Sequence, residues 1–459
     1  IAPFSMGRGS FVSPKAAASL VLPLLASVWI FLRHNWLHGP QCAQNVLHNY
    51  WKFIPPGKID NWAEPYTMCL DPYWVNQWLK NYGAGFVKRG FLGEMSIHLF
   101  GDRINLFVLN LLALALIISL AYGVVFLLVS IGRREALSAS CVFVSLLWFT
   151  PVGRSLAETA LDPLQVSIAL LILAVILTIR SQWHDYWRDT VLIMSFLLSI
   201  LVHEGSFLLL LPAYVVVGRK SWVWWVGLGI AVATTFAFSG EEPLISQPLI
   251  SGRLIGFNPH TGLEISYRAG GAIASQVSFF SNLKMEVMRY VAEPMEIAGD
   301  AYRTLVLIFF YALCIISWLQ VISGQAAMSF FKIWLIYIPV TLPFFFITHD
   351  WVRYGVVNLL SCLVCTSALV ASVPAPAGSK DAAIENRQRP IKTLIHWPWL
   401  LLLLMSLIFG PHLHDKDIRT HPQERLGRKY TLLCLAGMTV VTQQRRSKRL
   451  SFFADSSMG

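Results

Sequence analysis

The chain has 459 residues and a formal net charge of +11. Its residues are 55% hydrophobic but only 13% charged, with a mean hydropathy of +0.57. Soluble domains carry roughly 25% charged residues, so an ordinary soluble fold is excluded. Runs of almost uncharged residues long enough to cross a bilayer predict an all-α polytopic membrane protein. Period-two alternation is absent, which argues against a β-barrel.

Eleven apolar segments follow one another: 16–32, 105–131, 136–152, 163–179, 190–203, 206–218, 221–238, 303–322, 333–348, 355–373 and 395–410. The first lacks a small-residue cleavage site after it, so it is expected to be a retained span. The fifth and sixth are short. Either they form a hairpin turning at Glu204-Gly205, or they are one kinked span. Residues 1–15 are expected to be a cytoplasmic segment, 16–410 the transmembrane domain and 411–459 a basic tail.

Sidedness follows from the short-loop cations. With Arg8 and Lys15 inside, so are Arg133-Arg134, Arg180 to Asp189, Arg219-Lys220, the Lys332 loop and Lys380 to Lys392. The loops 33–104, 153–162, 204–205, 239–302 and 349–354 then fall outside. The tail is the exception. Its nine Lys/Arg and four Asp/Glu sum to +5, leaving about +6 for the body, yet it falls on the outer side. Basic residues scattered through short loops and a tail do not make a nucleic-acid face.

The first loop, 33–104, is the main departure from a plain bundle. Loops of this length are functional or disordered, and its aromatic density argues against disorder. It carries Asp60, Glu64 and Asp71 among Trp51, Trp62, Tyr66, Tyr73, Trp74 and Trp78. Carboxylates at a membrane face suit general-base work or a divalent ion, Mg or Mn. Solvated loop acids are the simpler alternative. Cys42 and Cys69 lie in the same loop, whereas Cys362 and Cys365 sit in an apolar run and read as core.

Further along, four glycines between Gly83 and Gly93 flank Lys88-Arg89. This segment can approach and hold a phosphate, or form a juxtamembrane amphipathic helix with snorkelling cations. His203-Glu204-Gly205 interrupts an apolar stretch, where the imidazole and the carboxylate suit a proton relay or a plain helix turn. Arg154 and Glu158, at i and i+4, read as a structural pair. Asp162-Pro163 closes the same short loop. The second loop, 239–302, holds Arg253, His260, Glu264 and Arg268, with an amphipathic second half.

His349-Asp350-Trp351-Val352-Arg353-Tyr354 is squeezed between two apolar runs. Ionisable residues there are costly and mark function. Asp350 and Arg353 share a helical face, so a local ion pair is the competing reading.

This plan resembles the GT-C glycosyltransferases. The likeness covers residues 16–410 in architecture: a large first outer loop with carboxylates, juxtamembrane aromatic segments, about eleven spans and a second large outer loop. The family's D-x-D or E-x-D pattern does not occur in the first loop, where the nearest arrangement is Asp60-x-x-x-Glu64. The resemblance implies sugar transfer from a polyprenyl-linked donor to a glycan or lipid acceptor, at the extracytoplasmic face of a bacterial inner membrane. Asp60, then Glu64, then Asp71 would activate the acceptor. Lys88, Arg89 and Arg353 would hold the departing phosphate, and His203, Glu204, His349 and Asp350 would shape the pocket or relay protons. The partners implied are the bilayer, the lipid-linked sugar and its acceptor. Alternatives are an O-antigen- or capsule-type polymerase or ligase relying on outer-loop cations, and a small-molecule transporter. A transporter should show matched broken helices, and only 190–218 is broken.

Overall fold

The computed structural model describes residues 18–32, 72–79, 81–82, 90–131, 136–179, 184–203, 205–218, 221–237, 253–257, 264–267, 288, 305, 308–309, 311–320, 324–347 and 351–372. This part is 91% helical. In chain order the helices are α1 (Val21–Leu32), α2 (Pro72–Leu79), α3 (Gly90–Phe100), α4 (Leu106–Ile131), α5 (Ala136–Trp148), α6 (Pro151–Glu158), α7 (Pro163–Ile179), α8 (Asp185–Val202), α9 (Ser206–Val217) and α10 (Trp222–Ala237). They continue with α11 (Tyr311–Gln320), α12 (Gly324–Ile347) and α13 (Trp351–Ser372). Within α4 and α13, Phe107–Ile131 and Arg353–Ala371 are long and apolar enough to cross a membrane.

Helix α13 is the central strut. It packs on α4, α6, α7, α9 and α12, and 78% of its apolar stretch is buried, against 50% for α4. Polar side chains sit inside: Asn358 Nδ2 donates to Thr341 Oγ1 at 2.7 Å, joining α13 to α12. Apolar side chains face outward, as Phe331, Leu335 and Ile336 do on α12. Buried polar links and exposed apolar stripes are the pattern of helices packed in lipid. Glycine permits the close approaches. A Cβ on Gly227 of α10 would stand 2.2 Å from Ile193 Cγ2 of α8.

Residues 190–218 form a hairpin. His203 is extended, with φ −153° and ψ 117°, and ends α8 before α9 starts at Ser206. The Ser195 and Tyr214 hydroxyls meet at 2.7 Å. In one continuous helix, nineteen residues would separate them by about 28 Å.

The structure corrects several expected boundaries. The segment 136–152 is not one helix: α5 stops at Trp148, and Thr150 Oγ1 accepts the Val152 N–H at 3.2 Å to cap α6. Lys332 is not in a loop but on the exposed face of α12, which begins at Gly324. Arg353 is likewise not in a loop but in the first turn of α13. The described region is not wholly helical either. Ile104–Asn105 (β1), Leu254–Phe257 (β2) and Glu264–Tyr267 (β3) form a small sheet in the order β1-β2-β3, the first pair parallel and the second antiparallel. The strands come from the two large loops, so backbone pairing joins loops that hydropathy treats as separate.

Candidate functional site

The site is assembled where the loops converge at one end of the bundle. It begins with Asp162, at the N-cap of α7. Asp162 Oδ1 accepts the Leu164 N–H at 2.9 Å, with Pro163 filling the first helical position. Proline fits there because its missing N–H needs no partner. The other carboxylate oxygen, Oδ2, lies 3.3 Å from Arg353 Nη1. Asp162 is fully buried and the Arg353 side chain is 10% exposed, so the two charges neutralise each other away from water. Arg353 Nη2 donates to the Tyr354 hydroxyl at 2.9 Å. Its guanidinium lies 4.7 Å from the centre of the Trp74 ring and 4.9 Å from that of Tyr354, within cation–π range.

Trp74 belongs to α2, in the first large loop. The same helix is fixed twice more. Trp78 Nε1 donates to Leu161 O at 2.8 Å, one residue before Asp162. Ser96 Oγ of α3 donates to Trp78 O at 2.8 Å.

Arg253, from the second large loop, closes the arrangement. Its Nη1 donates to Leu79 O, its Nη2 to Ser96 Oγ at 3.2 Å and its Nε to Asp102 O at 3.2 Å. The Arg253 carbonyl accepts the Ile104 N–H at 2.7 Å, where β1 meets β2. Burial lowers the guanidinium's pKa, and Asp102 and Glu94 pull it back up. Nearby, Glu94 Oε2 accepts the Tyr82 N–H at 3.1 Å. The Tyr82 phenol is pushed up to about 12 by burial, with the Glu94 carboxylate adding to the effect.

Behind Arg353 lies a cavity of about 10 Å³. It is lined by polar Ser155, Thr159, Gln165 and Arg353 and by apolar Leu120, Ile168 and Val356. The two N–H groups of Gln165 Nε2 are shared among Leu156 O at 3.0 Å, Thr159 O at 2.7 Å and Thr159 Oγ1 at 2.6 Å. This ties the turn between α6 and α7 into a rigid wall. A space of this size holds about one water.

Of the residues to which the resemblance gives a role, Arg353 and His203 are described. Arg353 is in the cluster, but its described ionic partner is Asp162. His203 is at the α8–α9 turn, where its Nδ1 accepts the Gly205 N–H at 3.0 Å. That bond fixes the neutral ring with its proton on Nε2. Asp60, Glu64, Asp71, Lys88, Arg89, Glu204, His349 and Asp350 lie outside the described residues, as do the side chains of Arg154 and Glu158, the cysteines Cys42 and Cys69, and the tail. Among the described residues, no group of three or more His, Cys, Asp or Glu could hold a metal ion.

Asp162, Trp74 and Arg253 stand in the sequence as a loop acid, a loop aromatic and a loop cation, with nothing that assigns them to this cluster. Asp-Pro before an apolar run signals a helix cap, but it gives no hint of Arg353. No protein-family model matches this chain, and neither curated proteins nor solved structures provide a match.

Proposed function

We propose that this chain is a multi-pass membrane transferase that moves a sugar from a polyprenyl-linked donor to a glycan or lipid acceptor at the extracytoplasmic face. The reading takes the eleven apolar segments as spans and follows the architectural resemblance to GT-C enzymes. One observation carries it. Four segments that the cation distribution assigns to a single side are bonded together at one end of the bundle: α2 and α3 of the first loop, the Leu161-Asp162 turn, Arg253 of the second loop, and Arg353. A buried guanidinium, paired with Asp162 and framed by aromatic rings, then stands where phosphate would depart.

In the proposed reaction a first-loop carboxylate, Asp60 ahead of Glu64 and Asp71, takes the proton of the acceptor hydroxyl. The acceptor oxygen bonds to the sugar's anomeric carbon as that carbon's bond to phosphate oxygen breaks, and polyprenyl phosphate leaves with the electron pair. Arg353, with Lys88 and Arg89, stabilises the charge that develops on it. A polymerase or ligase that relies on cations is the second reading. It is favoured by the fact that the cluster centres on a guanidinium.

The test is transfer of radiolabelled hexose from polyprenyl-phosphate hexose in membranes with and without the chain. Expected is chain-dependent transfer that falls roughly 10²–10⁴-fold in Asp60→Asn, the range for loss of a general base. Unchanged transfer in Asp60→Asn, Glu64→Gln and Asp71→Asn, with loss in Arg353→Gln, moves the assignment to the polymerase or ligase. Identical labelling with and without the chain sinks both.

A further inference from the structure

At the opposite end from Arg353, helix α10 opens with Trp222 and Trp225, 73% and 59% exposed. The neighbouring α8 opens with Tyr186 and Trp187, 39% and 55% exposed. The two starts are locked together, because Asp189 Oδ2 accepts the Ser221 N–H at 2.7 Å. The rings of His184, Tyr186 and Trp187 form a ladder with centroid spacings of 4.8 and 5.3 Å. Buried tryptophans in this protein fill its core, so four exposed large aromatics at one end need another explanation than packing.

The surface changes character in a fixed order along these helices. Before the aromatics of α8 lie exposed His184 and Asp185, and half-buried Arg188 stands beside them. After them the outward face is apolar, with Met194 on α8 and Val226 and Ile230 on α10, at helical spacing from Trp222. Charged, then amphipathic aromatic, then apolar is the order of layers met on entering a bilayer. A protein partner seated on the aromatics would leave the apolar stripe beyond them uncovered; a lipid leaflet covers both.

We propose that Tyr186, Trp187, Trp222 and Trp225 seat in the headgroup–acyl boundary of a phospholipid leaflet, their N–H and O–H groups toward ester and phosphate oxygens. The inference rests on the multi-pass reading, not on the transferase chemistry. It also sets a depth. Sixteen residues separate Trp187 from His203, about 24 Å of helix, whereas the hydrocarbon layer is about 30 Å thick. The α8–α9 turn therefore stops below the far surface. Helix α3, which packs against α8 and exposes Met95 and Leu99 beside His98, belongs at the boundary above it. Non-helical backbone at such depth is tolerated when buried in protein, as His203 is.

The test places photoreactive benzoylphenylalanine at Trp222, Trp225, Met194 or Ile230 of the full chain, in vesicles of phosphatidylcholine and phosphatidylglycerol. Expected are phospholipid adducts at all four positions, on mid-chain acyl carbons at 194 and 230 and at the glycerol end at 222 and 225. Adducts at 194 and 230 with none at 222 and 225 overturn the proposal. So do cross-links from 222 or 225 to a second copy, or labelling there as deep as at 230. No lipid adduct at any position overturns the multi-pass reading itself.

Discussion

Asp162 holds Arg353 with one carboxylate oxygen and the N-terminus of α7 with the other, at 3.3 and 2.9 Å. The two jobs separate on substitution. Asp162→Asn keeps an oxygen for the cap and removes the charge; Asp162→Ala removes both. Breaking a buried pair from one side costs roughly 3–5 kcal/mol, because the remaining charge is left uncompensated, and losing a cap adds about 1 kcal/mol. Expected in denaturant or thermal unfolding is the order Ala below Asn below wild type. Asp162→Asn combined with Arg353→Gln should be more stable than Asp162→Asn by itself.

Arg253 bonds to Leu79, Ser96 and Asp102 at once. Only a guanidinium presents donors in that fork. Arg253→Lys is expected to keep one of the three bonds and to expose the first loop to protease. The rate of limited proteolysis between residues 79 and 104 checks this, and cleavage no faster than wild type would contradict the clamp.

Tyr82 gives a pH signature. Its phenol is neutral in the folded chain up to about 12, against an ordinary value of 10.0. Above 10 the unfolded chain releases this proton while the folded chain retains it, so the unfolded state binds fewer protons and stability falls as pH rises. The contribution is fully present below 10 and is lost on the way to 12. Stability curves of wild type and Tyr82→Phe should diverge in that window, with the Phe variant falling less steeply; parallel curves would refute the assignment.

The α8–α10 contact depends on Gly227. Its missing Cβ would fall 2.2 Å from Ile193 Cγ2, an atom beside a branched carbon that cannot swing clear. Overpacking costs typically 1–3 kcal/mol. Gly227→Ala should lower the melting temperature, and Ile193→Ala added to it should restore part of the loss. A harsher case is Gly153, where a Cβ would sit 1.9 Å from the Trp148 carbonyl oxygen. Backbone cannot yield as a side chain can, so Gly153→Ala should fold poorly with no second-site cure.

How far the sequence predicted this arrangement follows from the range of each interaction. Segment 163–179 matches α7 to the residue, because Asp-Pro fixes its start locally. The hairpin at 203–205 was one of two readings, since periodicity cannot distinguish a turn from a kink; the Ser195–Tyr214 contact does. Arg353 was visible as an ionisable residue among apolar neighbours. Its described ionic partner was not, because the nearest acid in sequence, Asp350, is the obvious choice and Asp162 is brought in only by tertiary packing. Arg253 was one of many loop cations. Nothing local announces that it reaches three carbonyl or hydroxyl groups in another loop. The small sheet was missed for the same reason: β1 has two residues and acquires its meaning from β2.

The grip of Arg253 on the carbonyl of Asp102 spans 151 residues. During synthesis α2 and α3 emerge long before the side chain that fastens them, and β1 appears without a strand to pair with. The cap over Arg353 is therefore a late event in biogenesis, slow in the way that contacts distant in sequence are slow. A ribosome halted before residue 253 leaves a chain whose helices can form but whose Arg353 end stays open.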